Sequence, residues 1–188
     1  MNMININPTI FTTRPTDERL PKETRVYDLL ESLGVSYRRV DHDAADTMED
    51  CAAAKAILGV KICKNLLLCN QQKTKFYLLL MSGEKPFVTK EFSKKIGSSR
   101  LSFAPAEFME KFLDITPGSL SVFGLMNDTE GEVTLYIDRD VVADDYFGAH
   151  PCINTSTVAI STRELLEKVI PATAHEVHFV ELDAPERE

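Results

Sequence analysis

The sequence predicts an α+β domain built on a mixed sheet. Short strand-like apolar runs recur along the chain, and four or five helical stretches fall among them. The two interleave without the strict strand–helix–strand rhythm of a parallel fold. The 188 residues suffice for one domain with an added arm and for burial of a real core. A hydrophobic content of 44% beside 27% charged residues is ordinary for a globular protein.

Residues 1 to about 20 are polar and prolines punctuate them at Pro8 and Pro15, which points to an extended arm. Glu23 to Leu33 reads as an amphipathic helix: Val26, Leu29, Leu30 and Leu33 follow the i, i+3, i+4, i+7 spacing, and Gly34 is a natural stop. Val35 to Val40 is a short strand, with Asp41-His42-Asp43 as the turn after it. Thr47 to Leu58 is a second helix, capped by Thr47 with Asp50 three residues on and closed by Gly59. Leu66 to Cys69 is a buried strand beginning at about Asn65. Phe76 to Met81 is its neighbour, and the polar stretch Asn70 to Lys75 turns the chain between them.

Ser82 to Pro86 is a turn leading to a short helix near Lys90 to Ile96, stopped by Gly97. Ser102-Phe103-Ala104 precedes a helix from about Pro105 to Leu113, where the proline suits the first turn. After the loop Thr116 to Ser119 and the apolar run Val122 to Met126, Asn127-Asp128 with Gly131 mark a hairpin turn before a strand over Glu132 to Ile137. Gly148 to Pro151 is a sharp turn before a strand over Ile153 to Ile160. Ser161 to Glu164 is a capping box opening a helix that ends before Pro171, and Val177 to Val180 is the last strand.

Several function classes are set aside by what the chain contains. No stretch approaches the roughly eighteen uninterrupted apolar residues of a membrane span. The first eight residues lack a basic leader and a long apolar run, so no signal peptide is expected. Cys51, Cys63, Cys69 and Cys152 form no CxxC pair and no metal-ligand spacing, which suits reduced thiols in a cytoplasmic protein. There is no Gly-rich phosphate loop, no HExxH and no GxSxG elbow. His150, His175 and His178 lack supporting Cys or carboxylate spacing, so structural or surface histidines are expected and no metal.

The charge is uneven. Residues 61 to 100 hold eight lysines and one arginine against two glutamates, a balance of +7, while the remainder holds 12 basic and 27 acidic groups, giving −8 for the whole chain. That contrast suggests one basic face on an acidic body, although a solvated lysine-decorated surface would read the same way.

Three stretches look shaped for a small ligand. Lys64-Asn65 places a cation and an amide at the mouth of an apolar strand, where a lysine either snorkels at the edge or meets an anion. Both can serve one site only if the strand begins at about Asn65, because successive strand residues face opposite ways. Pro117 to Gly124 is a loop with glycines near both ends, whose backbone N–H groups could close on a substrate. Gly148-Ala149-His150-Pro151 could present one imidazole rigidly.

In order, Lys64 to Leu68, Thr89-Lys90 with Ser99-Arg100-Leu101, Pro117 to Ser121, Gly124 to Asp128 and Gly148 to Asn154 resemble the YbaK/prolyl-tRNA synthetase-associated editing domain family. The match is nearest to its freestanding prolyl-tRNA deacylases, the PrdX or ProXp-ala group. The resemblance covers about residues 20 to 182, and so implies one editing domain over 21–182 with an arm over 1–20 and a tail over 183–188. It implies a barrel-like mixed sheet, no cofactor, and hydrolysis of mischarged tRNA(Pro), above all Ala-tRNA(Pro), assisted by the substrate's own ribose hydroxyl. Lys64, Asn65 and His150 would then be the catalytic set, and Gly118, Ser119, Leu120, Ser121, Val122 and Gly148 would shape the aminoacyl pocket. Val122 stands where the family's loop carries proline, which puts loop rigidity in question. Lys61, Lys73, Lys75, Lys90, Lys94, Lys95 and Arg100 would contact tRNA phosphates, which position without reading sequence. An aminoacyl ester is already activated, so water positioning and oxyanion stabilisation suffice without a protein nucleophile. The other class of function compatible with the sequence is a non-catalytic module that binds aminoacyl-tRNA or an amino acid and docks on prolyl-tRNA synthetase. Neither DNA nor a membrane is expected as a partner.

Overall fold

A computed structural model describes residues 4–183, except Asp46, Ile62 and the side chain of Met48. The chain runs α1 (Pro21–Ser32), β1 (Tyr37–Asp41), α2 (Met48–Leu58), β2 (Cys63–Asn70), β3 (Phe76–Ser82), α3 (Thr89–Lys95), β4 (Leu101–Phe103), α4 (Ala106–Leu113), β5 (Val133–Asp138), β6 (Tyr146–Ala149), β7 (Ser156–Ser161), α5 (Thr162–Glu164), α6 (Ile170–Ala172) and β8 (Val177–Val180). A 3-10 turn over Val122–Asn127 precedes β5, and a π-helical stretch over Leu165–Val169 joins α5 to α6.

The strands form a five-stranded sheet, ordered β4-β2-β3-β5-β8, and a three-stranded sheet, ordered β1-β7-β6. The larger sheet is mixed: β4, β2 and β3 pair antiparallel, and β3, β5 and β8 run parallel. The smaller sheet is antiparallel throughout. An α+β fold with a mixed sheet is therefore what forms. One apolar cluster draws Tyr37, Phe147, Val158 and Ile160 from the small sheet and Leu67, Leu78, Leu80, Leu135 and Ile137 from the large one. It also takes Val26, Tyr27 and Leu30 from α1. A second cluster on the other face of the large sheet gathers Leu68, Leu79, Met81 and Phe92. Both faces of β2 and β3 are thus covered, which is why these strands read as continuous apolar runs.

Local chemistry fixes the helix that borders the site. Thr47 and Asp50 form a reciprocal capping box at the start of α2, and Gly59 ends it at φ +69° in the left-handed region. The arm before α1 is extended and bound: Ile6 bridges His42, Phe11 bridges Arg39, and Arg19 contacts Glu23 and Asp41. Of the expected tail, Asp183 bonds Glu91 through its backbone N–H, and 184–188 lie outside the described residues.

The structure corrects several boundaries. β2 begins at Cys63, two residues before the expected start, because the ladder with β3 extends through Cys63↔Ser82. Gly148 and Ala149 are strand residues of β6, pairing with Ala159 and Val158, so the turn starts only at His150, and β7 begins at Ser156. No hairpin follows Asn127-Asp128. β5 runs parallel to β3, and Asp128 instead accepts from the backbone N–H groups of Glu132 and Val133. Pro171 lies inside the last helical turn, where the preceding π-helical stretch accommodates it. β4 and β6 are short strands of three and four residues, too brief to show a period.

Candidate functional site

Five separated stretches of chain meet around one cavity of about 470 Å³, well sized for a small ligand. β2 contributes Cys63 through Leu67, α2 contributes Cys51 and Lys55, the loop after α4 contributes Pro117, Gly118 and Leu120, and the end of β6 contributes Ala149 and His150. Phe103, Ala104 and Met109 complete an apolar wall. A larger cleft of about 830 Å³ lies by Thr12, Arg14, Tyr37 and Tyr146, away from all of these.

Lys64 and Asn65 are the second and third residues of β2 and so lie inside the strand. They face opposite sides: Asn65 alternates with Cys63 and Leu67 of the first cluster, and Lys64 with Leu66 and Leu68 of the second. The expectation that the strand begins at about Asn65, with both residues at its start, is not met. They nevertheless border the same cavity, because it opens at the end of the strand. The Lys64 ammonium donates to the Lys85 carbonyl at 2.6 Å and keeps two further N–H donors. Asn65 Oδ1 is buried and, among the described residues, accepts no hydrogen bond.

His150 follows β6 at the turn. Its Nδ1 is 2.8 Å from the Ser156 carbonyl, which can only accept, so Nδ1 carries the proton and Nε2 is left as an acceptor. Nε2 faces the Cys51 thiol at 3.6 Å, and the His42 ring packs alongside. Burial pushes His150 down to about 4, partly offset by the Ser156 bond, so the imidazole is neutral at physiological pH. Burial pushes the Cys51 thiol up. The pair is therefore thiol and neutral imidazole, not the ion pair of a cysteine nucleophile.

Of the expected pocket residues, Gly118 and Leu120 border the cavity, and Gly118 adopts φ +88° as only glycine does readily. Ser119, Ser121, Val122 and Gly148 are not among the residues that line it. Ser121 caps the 3-10 turn by accepting from the Phe123 N–H, and Val122 is buried in the core. These two fix the loop by packing and capping in place of a proline ring. At Gly148 an added Cβ would lie 2.5 Å from Val60 Cγ2, so glycine serves close packing there.

The basic residues divide. Lys90, Lys94 and Arg100 share a separate cavity of about 600 Å³ with Thr89, Ser93 and Ser98. Lys61 pairs with Asp144, and Lys95 pairs with Glu91 and Asp183. Lys73 and Lys75 are exposed in the β2–β3 turn, at the opposite end of β2 from Lys64. His175 is bonded to Asp128, and His178 is exposed beside Tyr136.

Sequence reasoning missed Cys51, Lys55, Phe103 and Met109. The signal for Lys55 was available: with Cys51 and Leu58 it falls on the inward stripe of α2, where a lysine is out of place.

The aminoacyl-tRNA editing domain matches residues 42–168. The prolyl-tRNA editing protein ProX of Acetoanaerobium sticklandii is 31% identical over 153 residues, 81% of this chain and 93% of that protein. The prolyl-tRNA synthetase associated domain-containing protein 1 of Danio rerio is 25% identical over 150 residues, 79% of this chain and 80% of that one. A solved structure described as a candidate trans-editing enzyme for prolyl tRNA synthetase superposes with a TM-score of 0.64 at 18% identity, covering 88% of this chain and all of that one. That last likeness concerns the fold.

Proposed function

The chain belongs to the aminoacyl-tRNA editing domain family, and we propose that it is a trans-editing deacylase that hydrolyses mischarged tRNA(Pro), with Ala-tRNA(Pro) as the preferred substrate. One observation carries the reading: a single cavity gathers Lys64, Asn65, Gly118, Leu120 and His150 from three stretches of the chain. Its apolar wall of Leu67, Ala104, Met109 and Leu120 suits a methyl side chain.

In this reading the ester enters with its ribose at the mouth, where the Lys64 ammonium attracts the terminal phosphate. The exposed ring of Phe103, in contact with Phe87, offers a face on which the terminal adenine stacks. Asn65 Oδ1 accepts from the α-amino group. The neutral His150 Nε2 accepts a hydrogen bond from the attacking water, but with a pKa of about 4 it is a weak base, so the ribose hydroxyl shares that work. Water adds to the carbonyl carbon, the bond to the ribose oxygen breaks, that oxygen takes a proton, and the amino acid leaves as its carboxylate. Lys90, Lys94 and Arg100 hold acceptor-stem phosphates. The acid-rich remainder of the chain supports prolyl-tRNA synthetase as a protein partner, in the cytoplasm.

Replacing Lys64 tests the assignment. Lys64→Ala is expected to raise KM for Ala-tRNA(Pro) about tenfold with a smaller change in kcat, since it removes a binding contact. Wild-type KM and turnover in that variant would remove Lys64 from the site.

A further inference from the structure

We propose that Lys55 is a further catalytic residue of this cavity, whose ammonium donates a hydrogen bond to the ester carbonyl oxygen as that oxygen gains negative charge. The proposal rests on the deacylase reading above.

Lys55 lies in the last turn of α2, one turn after Cys51 and just before Leu58. Its side chain borders the cavity, yet the residue is only 5% exposed. Among the described residues, no carboxylate lies within ion-pair distance of its amine and no acceptor within hydrogen-bond distance. The ionisable groups that feel its charge are the thiols of Cys51 and Cys63 and the imidazole of His150. A lysine whose stem is this deeply buried, with its amine opening on the cavity and no anion beside it among the described residues, is costly, and a methionine or leucine would fill the same space with better packing energy. Such a group is retained where a ligand completes it.

A second orphan in the same cavity has the opposite sense. Asn65 Oδ1 is a buried acceptor without a donor, and it shares a face of β2 with Cys63, the thiol Lys55 acts on. Among the described residues, the same cavity therefore offers one donor and one acceptor without a partner. An aminoacyl ester carries the complement on adjacent carbons: an α-amino group that donates and a carbonyl oxygen that accepts. Lys64 does not supply the oxyanion contact in this geometry. Its ammonium is on the other face of β2, bonded to the Lys85 carbonyl at 2.6 Å.

During hydrolysis water adds to the carbonyl carbon and the carbonyl oxygen becomes anionic. Collapse then expels the ribose oxygen, which takes the proton that water gave up. Lys55 keeps its own proton throughout and contributes a fixed donor held by a largely buried side chain, so the contact needs little reorganisation as charge develops. Burial holds its amine below the usual lysine range, which also makes the ammonium a better hydrogen-bond donor.

The test is Lys55→Met in the full chain, assayed for Ala-tRNA(Pro) deacylation and for thermal unfolding. We expect kcat to fall by about a hundredfold with KM within about twofold, while the melting temperature holds or rises. Lys55→Gln, which keeps a neutral donor, should fall between the two, and it carries the same test if the methionine variant does not fold. A kcat within about twofold of wild type, or a melting temperature that drops together with activity, overturns the role. If wild-type protein leaves Ala-, Cys- and Ser-tRNA(Pro) at their spontaneous rates, the deacylase reading falls and the Lys55 role with it. Wild-type activity with an unimpaired Lys55→Met removes Lys55 alone.

Discussion

At the residue scale the protonation of His150 is the most exposed consequence of the geometry. The unfolded chain protonates this imidazole near its ordinary value of about 6.5, whereas the folded protein resists until about 4. Unfolding therefore takes up a proton between those values. The stability held by a neutral His150 is complete above about pH 6.5 and is lost as pH falls towards 4, at most on the order of 3 kcal/mol. Denaturant unfolding across that window should show the loss in wild type and a flatter profile in His150→Gln; parallel profiles contradict it. His150 was legible in the sequence because a glycine, a histidine and a proline crowd four consecutive residues. Lys55 was not noticed: an alanine-rich helix has a weak apolar stripe, so the misplaced lysine did not stand out.

At the scale of elements, β6 shows why a motif can mislead. Gly148 reads as part of a ligand turn, but it is a strand residue pressed against Val60. Gly148→Ala is expected to destabilise the fold by about 1–3 kcal/mol, and Val60→Ala in the same chain to recover most of that by opening space. An unchanged melting temperature in Gly148→Ala would return this glycine to a ligand role. Long elements with strong periods or caps, such as α1, α2, β2 and β3, were readable to within two residues. β4 and β6 were not, because edge or short strands owe their existence to a partner strand rather than to their own pattern. The parallel pairing of β5 with β3 was likewise invisible, since the turn residues at 127–131 suit a hairpin equally well.

At the scale of the whole molecule, a buried cluster ties the far end of the chain to the site. The Lys85 ammonium meets Asp138, which is fully buried, together with Asp140 and the Leu182 carbonyl. The carbonyl of the same Lys85 holds Lys64. Asp138→Ala leaves a buried ammonium with one exposed carboxylate and the Leu182 carbonyl, and should cost roughly 3–5 kcal/mol in denaturant unfolding. A loss below about 1 kcal/mol would show the cluster to be dispensable. The +7 balance over residues 61–100 was plain in the sequence, but not its distribution. Lys85 is buried in an ion pair, Lys61 and Lys95 are neutralised by acids, and Lys90, Lys94 and Arg100 gather in a cavity of their own. Linear charge does not record which strand end or partner each lysine meets.

The measurement that tests the central claim most directly is a deacylation panel: purified wild-type protein with Ala-, Cys-, Ser- and Pro-tRNA(Pro), each timed against its spontaneous hydrolysis. A small cavity with an apolar wall predicts rapid loss of the alanyl ester and no acceleration for the prolyl ester, whose ring is excluded. Four esters that all decay at their spontaneous rates, with tRNA bound but intact, would contradict it and leave a binding module in its place.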